Sequence, residues 1–256
     1  GIEWSNKENF LLSFSEIVIF SGLNRPIDLA YLNPISSHLE IELNNRLNIV
    51  GTDASNAIWQ ISFDWLAKNR LRISGNYLYD EFVLDEIEKK RGKEHGKAFS
   101  GKIIYTLYKK SNVIIKSGLS YIEVGTPTFR HGNGMNNFIT RGKPIGWEYG
   151  SDSREYKFGL DFINIKKLIY SINFVMREIG EESILNRPYD PYEDYIKGSF
   201  PSGSVLEEIS FNSELDFFIK DNLFLKLNYK LSTINNVFIK KYELGVEYFL
   251  SKSMKI

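Results

Sequence analysis

Aromatic and basic side chains that could bind a sugar are concentrated in two stretches of this chain that are rich in glycine, proline and aspartate. A sugar packs its C–H face on an aromatic ring and needs polar partners for its hydroxyls, and arginines add affinity for acidic sugars. The alternative is that the same rings fold their own loops. The candidate residues are Arg130, His131, Arg141, Trp147 and Tyr149 in the first stretch, and Tyr189 and Tyr192 in the second.

A second group of charged residues predicts a structural network in the interior rather than catalysis. Asp64 and Asp80 belong to the polar sides of alternating segments, where a charge needs water or a hydrogen-bonding partner. Removing one member of such a network would leave a charge without its partner. The predicted members are Glu16, Arg25, Asp28, Asp64 and Asp80.

No residue pattern indicates a metal site, a cofactor or a catalytic triad. The chain has no cysteine, which excludes disulfides, zinc–thiolate sites and thiol catalysis. Its three histidines lack metal-ligand spacing. Ser151 and Asp152 follow His131 without defining a triad, and no G-x-S-x-G occurs. The 32 basic residues balance 32 acidic ones, so nucleic acid is not an expected partner.

Ten segments alternate between apolar and polar residues, which is the pattern of strands whose two faces meet different surroundings. They are long for a soluble protein, in which a strand usually has about five or six residues. A break in the alternation near Lys240 predicts a β-bulge in the last strand. The segments are 9–21, 56–66, 71–80, 99–107, 113–121, 154–165, 168–177, 209–219, 223–231 and 237–248.

The connections between these strands are alternately long and short. The long ones are 22–55, 83–96, 125–152 and 180–206, with a modest one at 232–236. Antiparallel pairing would place all of them at one end, as in outer-membrane barrels, whose turns are short on the periplasmic side only. We therefore predict an all-β, antiparallel outer-membrane β-barrel. A short helix inside it is predicted from leucines and isoleucines spaced by three or four residues over 29–43. A soluble β-sandwich or small ligand-binding barrel is the alternative fold.

Three stretches resemble the Wzi-type capsule assembly proteins of bacterial outer membranes. They are SEIVIFSGLNRPIDLAYLNPI at 15–35, SNAIWQISFDWLAKNRLRISGNYLYDEF at 55–82, and RGKPIGWEYGSDSREYKFGLDF at 141–162. The resemblance implies a barrel of about eighteen strands with a helical plug. The ten strands would then form its C-terminal part, in one domain spanning 1–256 that lacks N-terminal strands. It also makes Gly142, Pro144, Gly146, Gly150 and Asp152 a recurring architectural element.

The functional expectation is a non-enzymatic protein of the bacterial outer membrane, without a cofactor. It would bind or anchor capsular or other surface polysaccharide through its outer loops, with outer-membrane lipid or lipopolysaccharide around it. A passive or substrate-gated porin is the first alternative. An outer-membrane barrel enzyme, such as a lipase, acyltransferase or protease, is the second.

Overall fold

The structure is a computed structural model that describes residues 1–22, 29–33, 37, 55–81, 86–192, 198–220 and 222–248. A 3₁₀ turn at Leu29–Leu32 is the described part of the predicted internal helix. The rest of that prediction, and the predicted network residues Arg25 and Asp28, lie outside the described residues.

One eleven-stranded antiparallel sheet dominates the structure, and each of its strands pairs with the next one along the chain. A separate two-stranded ribbon lies in the chain between the sixth and the ninth strands, which pair with each other. The strands are β1 (Ile2–Ser5), β2 (Phe10–Ile19), β3 (Asn56–Lys68), β4 (Leu71–Glu81), β5 (Gly96–Lys110), β6 (Val113–Val124), β7 (Ile139–Thr140), β8 (Lys143–Pro144), β9 (Ser153–Asn164), β10 (Leu168–Ile179), β11 (Leu206–Lys220), β12 (Leu223–Ile234) and β13 (Val237–Tyr248). Helix α1 spans Glu86–Arg91, and a 3₁₀ turn spans Gly134–Asn136.

The ten predicted strands are confirmed as β2–β6 and β9–β13, and so is the all-β, antiparallel class. The predicted bulge near Lys240 is wrong, because β12 and β13 pair without a register shift from Leu223–Tyr248 to Ile234–Val237. Val237 and Ile239 instead lie on the polar face, close to the loops. The long connections all leave one end of the sheet, here called the loop end, where the two-residue turn of Asn235 and Asn236 also lies. The other short turns leave the opposite turn end.

The two faces of the sheet differ in polarity along its whole width. Residues that oppose each other across strands share a face, so the register groups Phe63, Phe158 and Phe211 on an apolar face. The same register groups Lys157 and Asn212 on a polar face. Many large side chains of the apolar face are substantially exposed, among them Phe63 at 37%, Leu119 at 59% and Leu244 at 72%. A protein folded in water rarely exposes so continuous an apolar surface.

The height of the apolar surface can be read from β9. Its apolar face begins beyond Arg154 and ends at Asn164, with Tyr156, Phe158, Leu160 and Phe162 between them. Ten residues at about 3.3 Å each, tilted by roughly 40°, give a height of about 25 Å, which is the height of the lipid-facing band of outer-membrane barrels. On β5, β6, β9, β10 and β11, the outermost side chains of this face at the loop end are charged: Lys97, Glu123, Arg154, Glu178 and Glu207.

The buried apolar core lies at the loop end, against the polar face, rather than between two sheets. Ile58, Leu78 and Val124 supply it from β3, β4 and β6, and Phe129, Phe138 and Ile184 supply it from the loops. Phe138 is 1% exposed and Ile184 is fully buried. The core therefore holds the loops in place over one end of the sheet.

Candidate functional site

Two long loops fold together at the loop end and form what we call the cap, residues 125–152 and 180–205. The structure describes the second loop at 180–192 and 198–205. Backbone hydrogen bonds join the loops: the Gly180 N–H donates to the Asp152 carbonyl at 2.7 Å, and the Tyr192 N–H donates to the His131 carbonyl at 3.0 Å. The cap is thus a folded unit rather than two independent excursions.

Asp152 is the hydrogen-bonding centre of the cap. Its side chain is fully buried, and its carboxylate accepts four hydrogen bonds. The Thr126 hydroxyl donates at 2.8 Å, the Ser202 hydroxyl at 2.5 Å and the Ser202 N–H at 2.9 Å, while the Glu182 N–H donates at 3.2 Å. Both loops therefore meet on one carboxylate whose charge is balanced by donors from each of them.

The backbone between Arg141 and Asp152 confirms the turn chemistry predicted for this stretch. Five of its residues have positive φ: Arg141, Gly142, Gly146, Gly150 and Asp152. The φ angle of Gly146 is +98°, which a side chain would strain. The loop reverses direction repeatedly here and delivers Asp152 to the start of β9.

Arg130 clamps the two loops and is not available at the surface. Its side chain is 1% exposed, and its Nη1 donates to the Glu182 carbonyl at 2.9 Å and to the Glu182 carboxylate at 3.0 Å. Its guanidinium lies 3.8 Å from the centre of the Tyr192 ring. The predicted sugar ligands Arg130 and Tyr192 are thus brought together, in contact with each other inside the cap.

A buried ion network on the polar face contacts the cap. Arg177 of β10 pairs with Glu155 of β9 at 2.6 Å and with Glu208 of β11 at 2.5 Å, and Lys230 of β12 pairs with Glu208 at 2.6 Å. The side chains of Glu155, Arg177 and Glu208 are each less than 10% exposed. The Tyr149 ring covers the Arg177 guanidinium at 3.3 Å.

The position of Tyr149 changes the pKa of its phenol. Burial raises its pKa above the ordinary value, and the Arg177 charge opposes that rise. The phenol therefore stays protonated at neutral pH and serves the cap as a neutral ring over a cation.

Trp147 and His131 also contribute to the fold of the cap. Trp147 is half-buried against the apolar core, and its ring centre lies 5.5 Å from that of Tyr149. The Nδ1 atom of His131 accepts a hydrogen bond from the Asn133 N–H at 2.9 Å, which stabilises a local turn. Neither side chain presents a full face to solvent.

The outward surface of the cap is formed by the remaining two candidates. Tyr189 is 52% exposed, and its hydroxyl accepts a hydrogen bond from the Gly142 N–H at 2.9 Å. Arg141, the residue before Gly142, is exposed, as is Lys143 after it. The hydroxyl of an exposed ring is thus held against the backbone between two exposed cations.

The three described members of the predicted interior network, Glu16, Asp64 and Asp80, lie at three separate places in the sheet. Asp64 makes a two-pronged pair with Arg72, at 2.8 and 2.6 Å, on the polar face. Asp80 is buried and accepts a hydrogen bond from the Phe129 N–H, which ties the cap to β4. Glu16 opposes Trp59 across β2 and β3, so it lies on the apolar face near the loops and not with the two aspartates.

The three residues of the buried ion network were not predicted from the sequence to pair with one another. Glu155, Arg177 and Glu208 occupy directly opposed positions on three neighbouring strands. When neighbouring strands are aligned by their turns, residues of opposite charge stand opposite each other. The network could therefore have been predicted from the strand register, but not from any single strand.

The polar face also carries a hollow of about 560 Å³ below the cap. Glycines at 118 and 159 form part of its floor, and hydroxyl, amide and amino groups surround them. Its polar side chains include Ser74, Asn76, Ser100, Lys102, Ser120, Lys157, Asp161, Ser171 and Asn173.

Across the described ranges, no three His, Asp or Glu side chains are arranged to hold a metal ion. None of the helices in those ranges is long and apolar enough to span a membrane.

Comparison with known proteins supports the fold and leaves the activity open. No protein-family model matches the chain, and no curated protein matches it. Among solved structures, it is similar to Wzi of Escherichia coli, an outer-membrane protein involved in group 1 capsule assembly and described as a carbohydrate-binding β-barrel. The TM-score is 0.64 at 14% identity, over 95% of this chain and 49% of Wzi.

The chain therefore spans about half the length of Wzi and shares the fold of that half. A second structure, the outer-membrane protein Ail of Yersinia pestis, matches with a TM-score of 0.25 at 14% identity, over 71% of this chain and 99% of Ail. The fold shared with Wzi is that of an outer-membrane β-barrel. In such a barrel the apolar face of the sheet points outward and the polar face inward.

Proposed function

We propose that this protein resides in the bacterial outer membrane and binds acidic surface polysaccharide on the outer surface of its cap, without catalysing a reaction. The exposed Tyr189 ring, fixed by the Gly142 N–H beside Arg141, carries the proposal. The ring offers a stacking face for a sugar, and the arginine offers a two-pronged partner for a carboxylate. The described carbohydrate binding of Wzi, which shares the fold, adds support.

The rigidity of the cap favours binding at this surface. Sugars have many hydroxyls, and a site that is already ordered loses less entropy when it binds them. The Asp152 centre and the Arg130 clamp fix both loops, so the Tyr189 ring does not have to be ordered by its ligand. On this view, five of the seven predicted ligand residues build the platform, and Tyr189 and Arg141 touch the glycan.

The test is binding of an acidic capsular polysaccharide to the purified full-length protein, compared with its carboxyl-reduced, neutral form. Replacement Tyr189→Ala should weaken binding of both forms about fivefold or more, which corresponds to roughly 1 kcal/mol. Replacement Arg141→Gln should weaken binding of the acidic form alone. Met135→Ala is the matched control, because Met135 lies on the same cap and is also 52% exposed.

Unchanged binding in Tyr189→Ala, or equal loss in Met135→Ala, would place the glycan elsewhere on the protein. An absence of binding by the wild-type protein to either polysaccharide would remove the proposed function itself. Expression of the capsule on cells that carry each variant provides a second measurement of the same surface.

A porin is the second candidate, and the hollow of about 560 Å³ on the polar face favours it. A hydrophilic wall of hydroxyls, amides and lysines suits the passage of small polar solutes. Conductance in a planar bilayer separates the two candidates. Large, steady openings that persist when polysaccharide is added would favour the porin, whereas closed traces accord with a cap anchored to the polar face by Tyr149 and Arg177.

A further inference from the structure

The turn end of the sheet carries a concentration of positive charge that the proposed function does not use. Eight lysines and arginines lie in or beside the short turns, and all are exposed. Within the described part of the chain, none of the eight makes an ion pair. Glu8 and Asp221 are the acidic residues of these turns. The residues are Lys7, Lys68, Arg70, Lys109, Lys110, Lys166, Lys167 and Lys220.

Three of these lysines face outward, on the apolar face. Lys68 opposes Leu71, Lys110 opposes Val113, and Lys220 opposes Leu223. Since opposed residues share a face, and each partner belongs to the apolar face, each lysine occupies the last outward position of its hairpin before the turn.

Register shifts are what place these lysines outward. Simple alternation would put Lys68 on the polar face with Asp64, and the same holds for Lys110 with Lys102 and for Lys220 with Asp216. A shift lies between Leu66 and Lys68, another between Thr106 and Tyr108, and a third between Phe218 and Lys220. One extra residue reverses which face the following side chain points to. The same device thus operates in three separate hairpins.

The lysines also lie just beyond a row of outward aromatic side chains. Trp65, Tyr108 and Phe217 are each more than 40% exposed and precede Lys68, Lys110 and Lys220, respectively, on the same face. Aromatic side chains in this position mark the boundary of the hydrocarbon layer in membrane barrels. A lysine one step further extends its amino group to the level of lipid headgroups while its methylenes stay against the apolar surface.

We propose that this basic rim binds the phosphate groups of anionic phospholipids in the leaflet at the turn end. A soluble acidic protein would also be attracted to the turns, but the three outward lysines point along the membrane-facing surface, where lipid is the neighbour. A lysine near an anionic membrane surface contributes attraction that corresponds to about a fivefold preference. The inference requires a membrane-spanning sheet, as the proposed location does, but not glycan binding.

The experiment measures lipid preference around the inserted protein. The full-length protein is reconstituted in phosphatidylcholine vesicles that contain brominated phosphatidylglycerol or brominated phosphatidylcholine, and quenching of Trp65 reports which lipid is its neighbour. The other tryptophans, Trp4, Trp59 and Trp147, are replaced with phenylalanine in all variants. Insertion is checked by the shift in gel mobility on heating.

The wild-type background should prefer phosphatidylglycerol severalfold, and the preference should fall toward unity in 1 M NaCl, where the screening length is about 3 Å. The variant with Lys68, Lys110 and Lys220 replaced by glutamine should lose most of the preference. The control replaces Lys90, Lys97 and Lys240 by glutamine. It makes the same change in net charge away from the turn end, and it should retain the preference.

A wild-type preference near unity, or equal preference in the triple variant and the control, would overturn the proposal. So would lysine-dependent binding of an acidic protein without any lipid preference, since the rim would then serve a protein partner. Failure of the protein to insert would remove the rim proposal together with the membrane location. Inserted protein with the expected lipid preference but no polysaccharide binding would refute the proposed function alone.

Discussion

Replacing Arg177 by methionine should destabilise the folded protein more than any other single charge removal on the polar face. Arg177 is the cation between two buried carboxylates, Glu155 and Glu208, whose side chains are 9% and 6% exposed. Methionine keeps much of the side-chain volume and removes the charge. Glu208 retains Lys230 at 2.6 Å, but Glu155 loses its cation.

The expected cost is about 4 kcal/mol. Removing one partner of a buried pair typically costs about 3–5 kcal/mol, because a charge is left in a poorly solvated site. The stacking of Tyr149 on the guanidinium is lost at the same time, and a buried contact of this kind contributes about 2 kcal/mol or less. The double replacement Arg177→Met with Glu155→Gln should recover about half of the loss, since it also removes the orphaned charge.

The control is Arg72→Met, which breaks an ion pair on the same face of the sheet. The Arg72 and Asp64 side chains are 58% and 33% exposed, so this change should cost about 1 kcal/mol or less. Urea-induced unfolding of the refolded protein in lipid vesicles, followed by tryptophan fluorescence, gives the free energy of unfolding for each variant. If Arg177→Met and Arg72→Met differ by less than 1 kcal/mol, the network is not the anchor that its burial indicates.

Three further predictions follow from the faces of the sheet and from the cap. Leu160→Arg, at the middle of the apolar face, should lower the free energy of unfolding in vesicles by about 2–4 kcal/mol, whereas Asn173→Arg on the polar face should cost far less. In Gly180→Ala, the new Cβ would lie 2.0 Å from the Asp152 carboxylate, so the cap should become sensitive to protease while the barrel stays inserted. Because the folded state raises the Tyr149 pKa, the stabilisation is complete below the ordinary phenol pKa of about 10 and is lost as pH rises through the folded value. Protease sensitivity of the cap should therefore increase at alkaline pH in the wild type and much less in Tyr149→Phe.

The strands were predictable because each residue carries its own information about which face it occupies. Lys157 is charged and Phe158 is apolar, so their residue types alone indicate that they lie on opposite faces of the sheet. Elements with too few residues to show a period were missed, namely β1 at Ile2–Ser5 and the ribbon of β7 and β8. The break near Lys240 was misread because two apolar residues before it, Val237 and Ile239, lie on the polar face at the loop end, where both are exposed.

The candidate site was predictable by position but not by role. Gly142, Gly146 and Gly150 have the positive φ angles expected of a turn-rich loop, and the aromatic residues do lie in that loop. The roles depend on partners far away in sequence: Arg130 is buried because Glu182 and Tyr192 reach it from the other loop. When one loop is considered alone, its aromatic and basic residues are reasonable candidates for ligand binding. When both loops are considered, most of these residues contact the other loop and stabilise the cap instead.

The charged limit of the apolar face at the turn end indicates how the strands are inclined. It passes from Lys68 on β3 to Lys220 on β11, which is three register rows lower after six strand spacings.

Three rows of about 6.6 Å against six spacings of about 4.8 Å correspond to an inclination of roughly 35°. Outer-membrane strands are inclined by about 35–45° to the membrane normal, so the turn-end limit becomes level with the membrane plane when the sheet is set at that angle. The positions of these charged residues thus indicate the stagger between neighbouring strands. Any strands that pair with β1 or β13 must continue the same stagger for a barrel to close.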